Sequence, residues 1–166
     1  MHEGFRRSVE RWDRWLDAAL SGRAVREPRD GNGEALQDRL GLGGVPCLPE
    51  DVRALALMLP EAVEGAHQGH PDFRVGGRIF ATLWTDEDRV VLRLAPEMQA
   101  EMVEVGPDEF QPVPGAWGTR GWTSVDLYGV EEEVLRGALL AAWKTVAPPG
   151  LVARFAALAI DLEDGR

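Results

Sequence analysis

Apolar residues recur along this chain with two periods, near 3.6 and near 2, and the changes between them divide it into elements. Phe5, Val9, Trp12 and Leu16 stand at i, i+4, i+7 and i+11, which gathers them on one side of a helix over residues 4–20. Residues 21–33, rich in Gly, Arg and Asp with almost no apolar side chain, read as a solvated linker. A short helix over residues 34–40 and a Gly41-Leu42-Gly43-Gly44 loop follow. Pro49 suits a first helical turn because its missing N–H would be unpaired there anyway, and Val52, Leu55, Ala56 and Leu59 form an apolar stripe that ends at Pro60.

The period then shortens. Strands are expected at residues 72–75, 78–84 and 89–94, with Gly76-Gly77 supplying the positive φ angles of a tight hairpin and residues 85–88 a longer turn. Along the third strand Val90, Leu92 and Leu94 point one way and Arg89, Val91 and Arg93 the other, so one face is core and one is wet. Pro96 opens a helix with Met98, Met102 and Val105 turned inward, ended by Gly106 and Pro107, and residues 106–121 read as loop. In a strand over residues 122–128, Thr123, Val125 and Leu127 alternate with Trp122, Ser124, Asp126 and Tyr128, and either set suits the core. Three glutamates, 131–133, begin the clearest helix, whose stripe includes Leu135, Ala138, Leu139, Ala142 and Trp143, and Pro148 stops it. A last helix from Pro149 is expected to bury Leu151, Phe155 and Leu158 before an acidic tail frays. These elements make an α+β domain over residues 49–160, an antiparallel β-sheet with helices packed on one face. An N-terminal helical extension, residues 1–48, either docks on that domain or stands apart from it.

At 166 residues with 45% apolar content, the chain can bury a self-sufficient core. Cys47 is its only cysteine, which excludes an intramolecular disulfide and fits a reducing cytoplasm; between Pro46 and Leu48 it reads as a small hydrophobe. The longest strongly apolar run, residues 138–143, is far too short to span a bilayer, and Arg6, Arg7, Arg11 and Arg14 are unlike a secretory leader. A soluble cytoplasmic protein without a membrane partner is expected. The formal charge of −10 opposes nucleic acid at long range. That charge is uneven: residues 95–166 hold twelve acidic against five basic side chains, whereas residues 72–94 balance Arg74, Arg78, Arg89 and Arg93 against Asp72, Asp86, Glu87 and Asp88.

Two motifs add a resemblance. Gly69-His70-Pro71-Asp72-Phe73-Arg74-Val75-Gly76-Gly77-Arg78-Ile79-Phe80-Ala81, and Gly121-Trp122-Thr123-Ser124-Val125-Asp126-Leu127 leading into Ala142-Trp143-Lys144-Thr145-Val146-Ala147-Pro148, together resemble the MmcQ/YjbR family over roughly residues 49–155. The resemblance implies a frataxin-like (CyaY-like) fold and a DNA-binding function through a double-wing arrangement of hairpins. The chain departs from the family pattern at Pro149-Gly150, where relatives often carry a basic residue, and at Ala95, where relatives often carry an aspartate.

The resemblance points to a non-catalytic DNA-binding protein, in which Arg74, Arg78, Arg89 and Arg93 offer forked donors to phosphate from adjacent hairpins, with Arg120 as a fifth charge. The same side chains also read as surface arginines paired with nearby acids, and Arg120 as stacked on a tryptophan. The alternative function is a protein-interaction or small-ligand module using the exposed sheet face and the N-terminal helix. Trp122, Tyr128 and Trp84 fit either a contact surface or the core, and Trp143 the core. Catalysis finds no support: Ser8, Ser21 and Ser124 lack a nucleophile-elbow pattern, and no phosphate loop or dinucleotide fingerprint occurs. His67, His70 and Asp72 are the one acid–base trio, in an extended segment where two histidines fall short of a metal-ligand set, and Glu97, Glu101 and Glu104 read as solvated helix charge. No cofactor and no metal is expected.

Overall fold

The computed structural model describes residues 46–164, so the elements expected over residues 1–45 lie outside the described residues. The order is α1 (Pro49–Leu57), β1 (Val63–His67), β2 (His70–Val75), β3 (Arg78–Trp84), a single 3₁₀ turn (Thr85–Glu87), β4 (Arg89–Arg93), α2 (Pro96–Val105), β5 (Phe110–Pro112), α3 (Ala116–Thr119), β6 (Trp122–Asp126), α4 (Glu132–Val146) and α5 (Pro149–Asp164). The six strands form one sheet in the order β1-β2-β3-β4-β6-β5, every neighbouring pair antiparallel.

The elements begin where local chemistry says they should. Pro49 occupies the first turn of α1, and Asp51 Oδ2 accepts the backbone N–H of Leu48 at 2.8 Å. Gly76 and Gly77 take φ 58° and 76° between β2 and β3, the two left-handed residues a hairpin of matching twist requires. Alternation in β4 is as expected: Val90, Leu92 and Leu94 are fully buried while Arg89 and Arg93 lie on the other face.

α1 and α4 pack on the face of the sheet that carries Phe73, Leu83, Val90, Leu92 and Val125. Trp143, fully buried in the last turn of α4, lies against Phe155 of α5 at 5.2 Å between ring centroids and donates its indole N–H to Pro60 O at 3.0 Å. Between β2 and β3 the register slips: Phe73 faces Ala81, but Arg74 faces Ile79. The extra residue, Phe80, is a bulge that lets two consecutive side chains, Phe80 and Ala81, both be buried.

Several expectations change. The strand over residues 63–67 has no period-2 signal, because as an edge strand containing Glu64, Gly65 and His67 it buries almost nothing. The segment 106–121 is not all loop: β5 adds an edge strand, which accommodates Pro112, and α3 makes one helical turn. Val105 and Leu158 are exposed rather than packed, and α5 runs on to Asp164 instead of fraying at the acidic tail. The strand beginning at Trp122 stops at Asp126, which leaves Tyr128 outside the sheet and exposed.

Candidate functional site

The face of the sheet opposite α1 and α4 is largely open among the described elements; α3 lies at its β6 end, and Thr145 and Val146 from the last turn of α4 border the same hollow. Strand register arranges its side chains in three rows across the strands. One row runs His67, His70, Trp84, Arg89; the next runs Gly65, Asp72, Thr82, Val91, Ser124; the third holds Arg74, Ile79, Arg93 and Trp122. Small and medium side chains make the middle row a floor. The outer rows, separated by four residues of strand or about 13 Å, make the walls. The result is a groove of about 960 Å³ running across the strands.

The walls are built from cation–aromatic pairs that the ladder sets directly opposite one another. Arg89 faces Trp84 across β3 and β4, its guanidinium carbon 4.4 Å from the ring centroid. Arg93 faces Trp122 across β4 and β6 at 5.5 Å. The His70 ring stacks on the other wall residue, Trp84, at 3.8 Å between centroids. In α3, Trp117 meets Trp122 edge to face at 6.2 Å and carries Arg120 at 5.7 Å, closing the β6 end of the groove together with Val113 and Pro114.

Trp117 and Trp122 are held by a compact segment. Gln99 of α2 donates its side-chain N–H groups to Gly118 O at 3.0 Å, Trp122 O at 3.2 Å and Thr123 Oγ1 at 3.0 Å. The backbone of Leu94 passes so close to Gly121 that a Cβ there would lie 1.8 Å from Leu94 O, and φ at Gly121 is 102°. The backbone that carries both aromatic side chains is thereby fixed relative to β4 and β6.

All four hairpin arginines singled out from the sequence, Arg74, Arg78, Arg89 and Arg93, line this groove; Arg120 stands over Trp117 beyond its end. Their environments differ. Arg74 gives Nε and Nη2 to the fully buried carboxylate of Asp72 at 2.8 and 2.9 Å, and this hydrogen bond and the charge behind it push the guanidinium pKa up. Arg89 is paired with Glu87 as well as stacked on Trp84. Arg78, exposed at the start of β3, makes no ion pair or hydrogen bond with another described residue. The β2–β3 and β3–β4 turns lie at opposite ends of β3, and the second holds Asp86, Glu87 and Asp88; Arg74, Arg89 and Arg93 share the open face of the sheet, whereas Arg78, beside the first turn, is paired with core-facing Val75.

The remaining candidates separate. His67 and His70 face each other across the β1–β2 turn, and among the described residues no three His, Cys, Asp or Glu side chains converge as metal ligands. Cys47 is buried, its thiol directed to Val130 O. No helix among the described residues is long and apolar enough to cross a membrane. Trp117 is a wall residue that the reading of the sequence passed over. The one signal it carries is its setting, a tryptophan between Gly115 and Gly118 in a segment without hydrophobic period.

A six-stranded antiparallel sheet with helices on one side and an open, arginine- and tryptophan-walled face on the other defines a two-layer α+β protein. The chain belongs to the YjbR family, whose pattern matches residues 57–145. Among solved structures it is similar to Deinococcus radiodurans protein DR2400, a DUF419 domain protein, at 25% sequence identity and a TM-score of 0.55, over 63% of this chain and 81% of that one. No curated protein matches the chain.

Proposed function

We propose that this protein is a non-catalytic nucleic-acid-binding module that lays a single strand of DNA in the groove across its sheet. One observation carries the reading. On a chain of net charge −10, the groove is lined by four arginines, two histidines and three tryptophans, and the Asp72 carboxylate in its floor is fully buried against Arg74. Guanidinium groups there meet phosphates with forked donors, while Trp117 and Trp122 offer ring surface on which bases stack. A strand lying across the sheet alternates between the two kinds of contact, as the walls do. The acidic remainder of the molecule repels polyanions elsewhere and confines binding to this face.

Tryptophan fluorescence during titration with an oligothymidylate about a dozen nucleotides long, and with a duplex of equal length, tests the proposal at two salt concentrations. The single strand is expected to quench the fluorescence and bind more tightly than the duplex, with log K falling by about 0.7 per phosphate contact for each unit of log salt. Absence of binding at low salt, or binding indifferent to salt, rejects it.

A further inference from the structure

The three arginines of the open face are held in different ways. Arg89 lies over Trp84 beside Glu87, and Arg93 lies over Trp122, so both of these guanidinium groups rest on rings. Arg74 rests on a carboxylate instead. Its Nε and Nη2 donate to Asp72 Oδ1 and Oδ2 at 2.8 and 2.9 Å, a two-point contact that sets both the direction and the plane of the guanidinium. Asp72 belongs to the middle row of the face, so Arg74 reaches back from its own row and lies over the floor of the groove.

The arrangement turns the cation outward. The Asp72 side chain is 0% exposed and that of Arg74 is 35% exposed, so the carboxylate lies beneath the guanidinium and not in a ligand's path. Asp72 occupies Nε and one Nη2 hydrogen; the other edge, with one hydrogen on Nη1 and one on Nη2, has no partner among the described residues. That edge is the fork that receives two oxygens of a phosphate. Gly65 of the edge strand β1 leaves room for the pair: a Cβ there would stand 2.9 Å from Asp72 Oδ1 and 3.2 Å from Arg74 Nε.

We infer that Asp72 is a positioning residue and Arg74 the preset phosphate anchor of the groove, the buried carboxylate holding the guanidinium with its free edge toward an internal phosphodiester of the bound strand. The inference rests on the nucleic-acid reading above. A solvated arginine loses rotamer freedom when it closes on a phosphate, whereas Arg74 has lost it already on folding. Asp72 therefore acts in two opposed ways. Its charge weakens the attraction of the groove for a polyanion, and its hold on Arg74 strengthens the contact that forms. The sign of the change when Asp72 is removed shows which effect governs binding.

The test is tryptophan fluorescence titration of the full-length chain with the same oligothymidylate, at a temperature where each variant is folded. Arg74→Gln is expected to weaken binding about tenfold, the loss of a charge-assisted contact. Asp72→Asn removes a negative charge from a polyanion site, yet is expected to weaken binding about two- to tenfold, the cost of ordering one long side chain on binding. In the Arg74→Gln background, Asp72→Asn is expected to leave binding unchanged or slightly tighter, because the carboxylate then acts through its charge alone. Gly65→Ala, which displaces the pair and alters no charge, is expected to reproduce the loss and decides the matter if Asp72→Asn does not fold. Asp72→Asn or Gly65→Ala binding as tightly as the unaltered chain overturns the inference. An equal loss from Asp72→Asn with and without Arg74 assigns the effect to general structure and overturns it too. Each of these outcomes leaves the nucleic-acid reading intact, whereas an unaltered chain that binds no strand rejects both.

Discussion

Arg93 of β4 and Trp122 of β6 are paired residues of the antiparallel ladder, and the guanidinium carbon rests 5.5 Å from the indole centroid. Each therefore shapes the other's surface: the ring limits where the cation can go, and the cation keeps one part of the ring covered. Removing the charge and removing the ring should have separable effects. Arg93→Gln is expected to reduce the salt slope of single-strand binding by about 0.7. Trp122→Ala is expected to cost about 1–3 kcal/mol of binding with the slope nearly unchanged, as the loss of one stacked base requires. Titrations of both variants across salt concentrations measure the two quantities.

Asp72 and Arg74 provide a test of stability in place of binding. The Asp72 hydrogen bond, and then its charge, raise the Arg74 pKa. A raised pKa on a cation means stabilisation that is complete below the ordinary guanidinium range and lost only when the solution becomes strongly alkaline. Asp72→Asn should therefore lower Tm by a similar amount at neutral and mildly alkaline pH, with no trend between them. Thermal unfolding followed by circular dichroism at several pH values checks this; a deficit that closes steadily as pH rises through the mild alkaline range contradicts it.

The glycines around Trp117 and Trp122 should be far less tolerant than those of the hairpin tip. A Cβ at Gly118 would lie 1.9 Å from Val113 O, and one at Gly121 would lie 1.8 Å from Leu94 O at a φ of 102°. Gly118→Ala and Gly121→Ala should each cost about 3 kcal/mol or more, through overpacking and backbone strain. Gly77, at φ 76° with nothing within 4 Å of its Cβ position, should cost only about 1–2 kcal/mol on replacement by alanine. Urea midpoints for the three variants give the comparison.

Gln99 joins α2 to the segment that carries both end-wall tryptophans. Gln99→Leu fills a similar space but removes the donor shared by Gly118 O, Trp122 O and Thr123 Oγ1. The expected loss is about 1–3 kcal/mol of stability, since buried acceptors are left without that partner. A change in tryptophan fluorescence should accompany it in the folded state, because Trp117 and Trp122 lose part of what fixes them. An unaltered folded spectrum, with an unaltered urea midpoint, contradicts this assignment.

The hydrophobic pattern made most of the fold legible. α1, α4 and β4 bury the residues their periods single out, and Gly76-Gly77 turns the chain where two positive φ angles were needed. β1 escaped notice because an exposed edge strand has no reason to alternate, and its turn is Gln68-Gly69, with φ 51° and 82°, a less conspicuous pair than two glycines. For residues 122–128 alternation was plain but its direction was not. Pairing with β4 decided it, setting Val125 against Val90 in the core and Trp122 against Arg93 outside.

Local sequence was thus sufficient for which segments form helices and strands, for where most turns fall, and for the placing of Arg89 and Arg93 on one face of their strand, because these depend on period and backbone freedom over a few residues. Which acid lies behind Arg74, which ring lies under Arg93, and whether the basic residues share a groove were decided only by the tertiary structure. They depend on the insertion of β6 between β4 and β5 and on the register slip at Phe80. Pairing of distant strands sets both, and a side chain's neighbours across a sheet are named by that pairing and not by its neighbours along the chain.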